Sequence, residues 1–121
     1  MKQHILVMDD DEAILDAFIL ALTDAGFKVE TCSNEDALFT LINKDKIPDL
    51  IILDYLLSGI NGITVCKKLK NNKKTKNIPI IMISAHPDAR SVSLNARADD
   101  FLEKPFEIEE LQNRIKKLID T

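Results

Sequence analysis

Along the 121 residues, five short runs of strand-like composition alternate with five amphipathic stretches, a pattern that few chains other than βα repeats can satisfy. The strand candidates are 4–8 (HILVM), 27–31 (FKVET), 49–53 (DLIIL), 78–83 (IPIIMI) and 100–103 (DFLE). Helices are predicted at about 11–25, 34–44, 60–70, 88–96 and 107–119. Runs 4–8, 49–53 and 78–83 are nearly all apolar, as parallel strands covered on both faces must be, and they take the centre of a sheet. Run 27–31 alternates Phe27, Val29 and Thr31 with Lys28 and Glu30, while 100–103 is short and carries Asp100 and Glu103; both read as edges.

Right-handed crossovers then give an α/β fold: a five-stranded parallel sheet, doubly wound and flavodoxin-like, in the order 2-1-3-4-5 with five helices. The first helix aligns Ile14, Phe18, Leu22 and Ala25 on one face, and the last aligns Ile108, Leu111, Ile115, Leu118 and Ile119. Ser33 and Asp36 have the spacing of a capping box for the second helix. Glu107, Glu109 and Glu110 open the last helix and Arg114, Lys116 and Lys117 close it, in line with its dipole.

The length suits one domain over residues 1–121, with a core built on aliphatic residues because aromatics contribute only 5%. No apolar run approaches the ~20 residues needed to span a bilayer. The N-terminus runs directly from apolar residues into acids without a secretory cleavage pattern, so a cytoplasmic location is expected. Cys32 and Cys66 form no C-x-x-C pair and read as buried small hydrophobes. A net charge of −4 with few aromatics argues against direct nucleic-acid binding. The cluster Lys67, Lys68, Lys70, Lys73, Lys74 and Lys76 is read as a solvated face near a helix C-terminus.

The chemistry-bearing residues stand just past the central strands. Asp9 and Asp10 follow the first, Asp54 the third and Ser84 the fourth, while Lys104 follows the fifth. In a doubly wound sheet these positions share the carboxyl edge, where ligands bind. Three crowded carboxylates require protonation or a cation, and Mg²⁺, a hard ion held by carboxylates and waters, suits them. Asp54 is placed to attack phosphorus as a nucleophile, with Lys104 and the Ser84 hydroxyl set to neutralise or bond the phosphoryl oxygens. Taken singly, Asp9 to Glu12 are a helix N-terminus, Asp54 a turn residue, Ser84 a cap and Lys104 a surface charge. Their joint arrival at the expected strand ends is what argues for a site.

The segments "ILVMDDDE", "DLIILDYLLSGING", "IPIIMISA" and "ADDFLEKPF", in that order and spacing, resemble the receiver domain of bacterial two-component response regulators over the entire chain. The resemblance implies that Asp54 accepts a phosphoryl group from a sensor histidine kinase, so that the domain signals and is no turnover enzyme. It implies Mg²⁺ held by Asp10 directly, by Asp9 through water, and by Asp54 and the backbone carbonyl of Leu56. It also makes Ser84 the switch hydroxyl, Phe101 the switch aromatic and Lys104 the phosphate-binding lysine, with a cis peptide at Lys104-Pro105. Asp11 and Glu12 begin the first helix.

The chain departs from the commonest family pattern at Ser58, at Arg97 and at the variable pair Leu56 and His86. Ser58 stands where Pro is usual, with Gly59 and Gly62 left to turn the loop, and Arg97 stands where Gly is usual. If the backbone at 97 needs a positive φ, a non-Gly residue costs about 1 kcal/mol there. Leu56 and His86 occupy the positions that tune hydrolysis of the acyl phosphate.

The fourth helix, "DARSVSLNARA", lacks a clean apolar face and is expected to be the most mobile. The resemblance implies that phosphorylation switches the face formed by helix four, strand five and helix five. The partner there would be a downstream protein or an output domain of a longer chain, and dimerisation on phosphorylation is left open. A haloacid-dehalogenase phosphatase would want a second acid where Leu56 stands. A nucleotide or flavin binder would want a glycine-rich loop that Gly26, Gly59 and Gly62 do not make. The remaining alternative is a degenerate receiver acting as an interaction module without phosphorylation.

Overall fold

The computed structural model describes residues 3–44, 47–57, 60–86 and 88–119. Ser58 and Gly59 lie outside the described residues. The elements follow in the order β1 (His4–Met8), α1 (Glu12–Asp24), β2 (Lys28–Cys32), α2 (Glu35–Asn43), β3 (Leu50–Asp54), β4 (Leu56–Leu57), β5 (Ile60–Asn61), α3 (Gly62–Lys70), β6 (Ile80–Ser84), α4 (Ala89–Asn95), β7 (Asp100–Glu103) and α5 (Ile108–Ile119). The main sheet is parallel in the order β2-β1-β3-β6-β7, which is the expected 2-1-3-4-5 with the two-residue antiparallel pair β4–β5 set aside. That pair delays α3 by two residues relative to the expected start at 60.

The period-two alternation of the strands divides the core between the two faces of the sheet. Leu6, Met8, Ile51, Leu53, Ile80 and Met82 meet Leu38 and Ile42 of α2, Val65 and Leu69 of α3, and Ala89 of α4. The intervening residues Ile5, Val7, Leu50, Ile52, Ile81 and Ile83 meet Leu15, Phe18 and Leu22 of α1 and Leu111 and Ile115 of α5. At α1 the buried stripe runs through Leu15; Ile14 and Ala25 only flank it. Ile108, the first residue of α5, is 42% exposed, because the helix meets the sheet from its second turn onward.

Four local expectations are corrected. Asn34, rather than Ser33, caps α2, its Oδ1 accepting the N–H of Ala37 at 2.8 Å. Asp54 and Ser84 are the last residues of their strands, because the ladder extends to Asp54 opposite Ile83 and to Ser84 opposite Glu103. Phe27 precedes β2 instead of belonging to it. Lys70 is no part of a solvated face: it is buried, and its Nζ donates to Asp99 Oδ2 at 2.7 Å and to the Ile78 carbonyl at 2.9 Å. Asp99 Oδ2 also accepts the Ile80 N–H at 2.8 Å, so one carboxylate ties the end of α3 to the start of β6.

Arg97 does adopt a left-handed backbone, with φ of 72°, at the turn that ends α4. The turn is therefore kept in spite of the missing glycine, and the Arg97 guanidinium donates to Asn71 Oδ1. Cys32 and Cys66 are free and buried, as expected. Burial pushes the Cys32 thiol up to about 12. The Cys66 thiol goes up to about 11, chiefly by burial and despite the cations of Lys70 and Arg97. Among the described residues, no helix is long and apolar enough to cross a membrane.

Candidate functional site

The carboxyl edge of the sheet collects its side chains through backbone bonds that carry the strands one step further. The Asp9 N–H donates to the Cys32 carbonyl at 3.1 Å, which continues the β1–β2 ladder and leaves Asp9 only 3% exposed. Asp9 Oδ1 accepts the Asp11 N–H at 3.0 Å. Asp11 in turn caps α1, its Oδ1 accepting from Ala13 at 3.0 Å and Ile14 at 3.4 Å, and Glu12 stands in the first turn. The run of four acids thus divides: Asp9 and Asp10 belong to the site, while Asp11 and Glu12 serve the helix and its dipole.

Asp54 is held from behind. The Tyr55 N–H donates to the Ile83 carbonyl at 2.9 Å, and the Gly62 N–H to the Tyr55 carbonyl at 3.0 Å. A Cβ at Gly62 would collide with the Asp54 carbonyl, so only glycine lets the start of α3 pass this close. Asn61 caps that helix through its Oδ1 and the Ile63 N–H at 2.8 Å. The sequence carries no local sign of this restraint, since Gly62 reads there only as a loop glycine.

Ser84 ends β6, is 2% exposed, and accepts the His86 N–H on its Oγ at 3.0 Å. Lys104 follows β7, and its N–H donates to the Ser84 carbonyl at 2.9 Å. Its ammonium reaches to 3.7 Å from Asp54 Oδ1, and the peptide to Pro105 is cis. The distance exceeds a hydrogen bond but leaves strong Coulombic attraction between two mostly buried groups.

One carboxylate oxygen from each of Asp9, Asp10 and Asp54 lies within 4.8 Å of the others. Oxygen-only donors, one buried, one half-buried and one exposed, match what a small hard cation with retained waters takes. The structure therefore brings together Asp9, Asp10, Asp54 and Lys104, with Ser84 tied to Lys104 by backbone. Leu56 opens β4, paired with Asn61.

The flanks are also defined. The Tyr55 and His86 rings lie 6.2 Å apart between centroids, with His86 exposed. Phe101 is 1% exposed, and the Arg90 guanidinium of α4 sits 5.3 Å over its ring. On the α1 side, an almost wholly apolar groove of about 520 Å³ opens beside Lys104, lined by Ile14, Phe18, Ala85, Phe106 and Ile108.

Residues 5–116 match the family model described as the response regulator receiver domain. The chain is 37% identical over 117 residues to the phosphate regulon transcriptional regulatory protein PhoB of Pseudomonas aeruginosa, covering 95% of this chain and 51% of that protein. It is 35% identical over 118 residues to the DNA-binding response regulator MtrA of Mycobacterium tuberculosis, covering 96% and 50%. The chain thus spans about half the length of the curated relatives it matches. Among solved structures, a two-component response regulator from Clostridium difficile superposes with a TM-score of 0.88 at 27% identity, covering 98% of this chain and 97% of the other.

Proposed function

The chain belongs to the response regulator receiver domain family, and on that premise we propose that Asp54 is its phosphoacceptor, taking a phosphoryl group from a histidine of a sensor kinase. The observation that carries the reading is the convergence of the Asp9, Asp10 and Asp54 carboxylates within 4.8 Å, with Lys104 Nζ at 3.7 Å from Asp54. In the transfer, an Asp54 carboxylate oxygen forms the bond to phosphorus as the donor's N–P bond breaks, and the imidazole keeps the electron pair. Asp54 contributes position as well as charge, since Gly62 and the Ile83 carbonyl hold its backbone.

Mg²⁺, when bound, would supply charge neutralisation at the transferring oxygens. Asp9, Asp10, Asp54 and the Leu56 backbone carbonyl are the ligands we assign to it. Lys104 neutralises a second phosphoryl oxygen through its ammonium. The Ser84 hydroxyl accepts from the His86 N–H and still has its proton to donate, so it can bond a third oxygen without losing that contact.

Leu56 and His86 are assigned to tuning the lifetime of the acyl phosphate, and Phe101, beside Arg90, to relaying the change to α4, β7 and α5. That face carries an ion-pair network in which Arg114 bonds Asp100 at 2.7 Å and Glu110 at 3.4 Å. The kinase's histidine helix would seat on the apolar groove beside Lys104, which opens on the site. A downstream protein or an output domain would read the α4–β7–α5 face. The alternative of an interaction module without phosphorylation has no missing group to favour it.

Incubation with acetyl phosphate and Mg²⁺, followed by intact-mass measurement, tests the assignment. One phosphoryl mass is expected on the wild type and none after chelation of the metal. Labelling that is indifferent to Mg²⁺ would overturn the metal's role.

A further inference from the structure

From Lys67 to Asn77 the sequence holds six lysines and no acid. Two buried side chains shape this stretch from beneath. Thr75, 1% exposed, donates its hydroxyl to the Leu69 carbonyl, and the buried Lys70 ammonium donates to the carbonyls of Lys76 and Ile78. The Asn72 carbonyl accepts the N–H groups of both Thr75 and Lys76, at 3.1 and 2.8 Å. The connection from α3 to β6 is thus a turn closed by its own bonds.

The same bonds decide what the turn offers to solvent. Asn72 Oδ1 accepts the Lys74 N–H at 2.9 Å, and Asn71 Oδ1 accepts from the Arg97 guanidinium. With both amide oxygens committed to donors, the side-chain NH₂ groups of these two exposed residues are left as donors themselves. Lys67, Lys73 and Lys76 are exposed, and none of them is in an ion pair among the described residues. Acceptors turned inward and donors left outside make a surface suited to carboxylate oxygens.

We propose that the end of α3 and the turn to β6 form a docking surface for an acidic segment of a partner protein. A short run of Asp and Glu side chains would lie across Lys67, Lys73 and Lys76 and the amides of Asn71 and Asn72. Charge complementarity selects an anionic partner, and the size of the patch selects within that class. A DNA duplex carries a charge about every 1.7 Å, so it overruns this patch onto a molecule of net charge −4. A short acidic segment ends where the lysines end. A turn already closed also has less freedom to lose on binding than an open loop. The surface lies at the amino edge of the sheet, where β6 begins, whereas Ser84 and the acidic cluster occupy the carboxyl edge. It stands whether or not Asp54 is the phosphoacceptor.

The probe is a fluorescein-labelled hexaglutamate peptide, followed by fluorescence anisotropy at low salt. Saturable binding is expected, weakened at least about fivefold when Lys73→Gln and Lys76→Gln are combined and two charge pairs are lost. Lys116→Gln with Lys117→Gln removes the same charge from α5, on the other face of the sheet, and should change affinity less than about twofold. Asn72→Ala and Thr75→Val leave the charge unchanged, and each should weaken binding by about two- to fivefold, through a lost donor and a loosened turn. Asn72 is exposed, so its variant is informative even if Thr75→Val fails to fold. No saturable binding up to about 1 mM peptide would overturn the proposal. So would equal losses in the two lysine pairs, unchanged affinity in Asn72→Ala, or tighter binding of a short DNA duplex at the same salt.

Discussion

Lys104 Nζ stands 3.7 Å from Asp54 Oδ1, so its ammonium points at the acidic cluster. Its backbone N–H is bonded to the Ser84 carbonyl, so ammonium, hydroxyl and carboxylate are held by adjacent strands β3, β6 and β7. Lys104→Met keeps most of the apolar stem of the side chain and removes the charge. Phosphorylation of this variant by acetyl phosphate is expected to slow by one to two orders of magnitude, roughly the share of transition-state charge one ammonium neutralises. Stability should change by less than about 1 kcal/mol, because the side chain is 28% exposed. Equal labelling rates would remove Lys104 from the transfer.

His86 is exposed beside the site, with its ring 6.2 Å from that of Tyr55. His86→Ala removes this exposed ring while sparing the backbone N–H that bonds Ser84. The acyl phosphate lifetime, followed by mass after removal of the phosphodonor, should change severalfold. A lifetime equal to wild type would assign the tuning elsewhere.

Lys70 and Asp99 form an ion pair with one buried and one exposed member. Asp99→Ala leaves the buried ammonium with carbonyls alone and also orphans the Ile80 N–H, and should cost about 2–4 kcal/mol in urea unfolding. Lys70→Met leaves the carboxylate its amide donor and its solvent access, at 37% exposure, and should cost about 1 kcal/mol or less. Equal costs would contradict the unequal burial.

The two thiols give a pH dependence. Burial raises Cys32 from 9.0 to about 12 and Cys66 to about 11, so the folded state holds its protons where the unfolded chain releases them. This contribution to stability is complete below pH 9 and is lost as pH rises toward 11–12. Unfolding midpoints measured from pH 8 to 11 should fall more steeply for wild type than for Cys32→Ala. Parallel curves would contradict this.

These residues also mark how far the sequence could be read. The apolar runs revealed the sheet and its order because parallel strands buried on both faces admit little else. The separate strand ends revealed Asp9, Asp10, Asp54, Ser84 and Lys104. Lys70 was hidden because a lysine among lysines has no signature of burial; only the fold brings Asp99 and two carbonyls to it. Asn34 took the cap from Ser33 because neighbouring polar residues compete for one position and backbone geometry decides. The closeness of Gly62 to Asp54, like the two-residue β4–β5 pair before it, is a tertiary relation with no local periodicity to announce it.

Protein labelled with acetyl phosphate and Mg²⁺ can be reduced with borohydride, which converts an aspartyl phosphate to homoserine, and then digested and mapped by tandem mass spectrometry. Homoserine is expected at position 54 alone, with no labelling of Asp54→Ala. Reduction at Asp9 or Asp10, or equal labelling of Asp54→Ala, would contradict it.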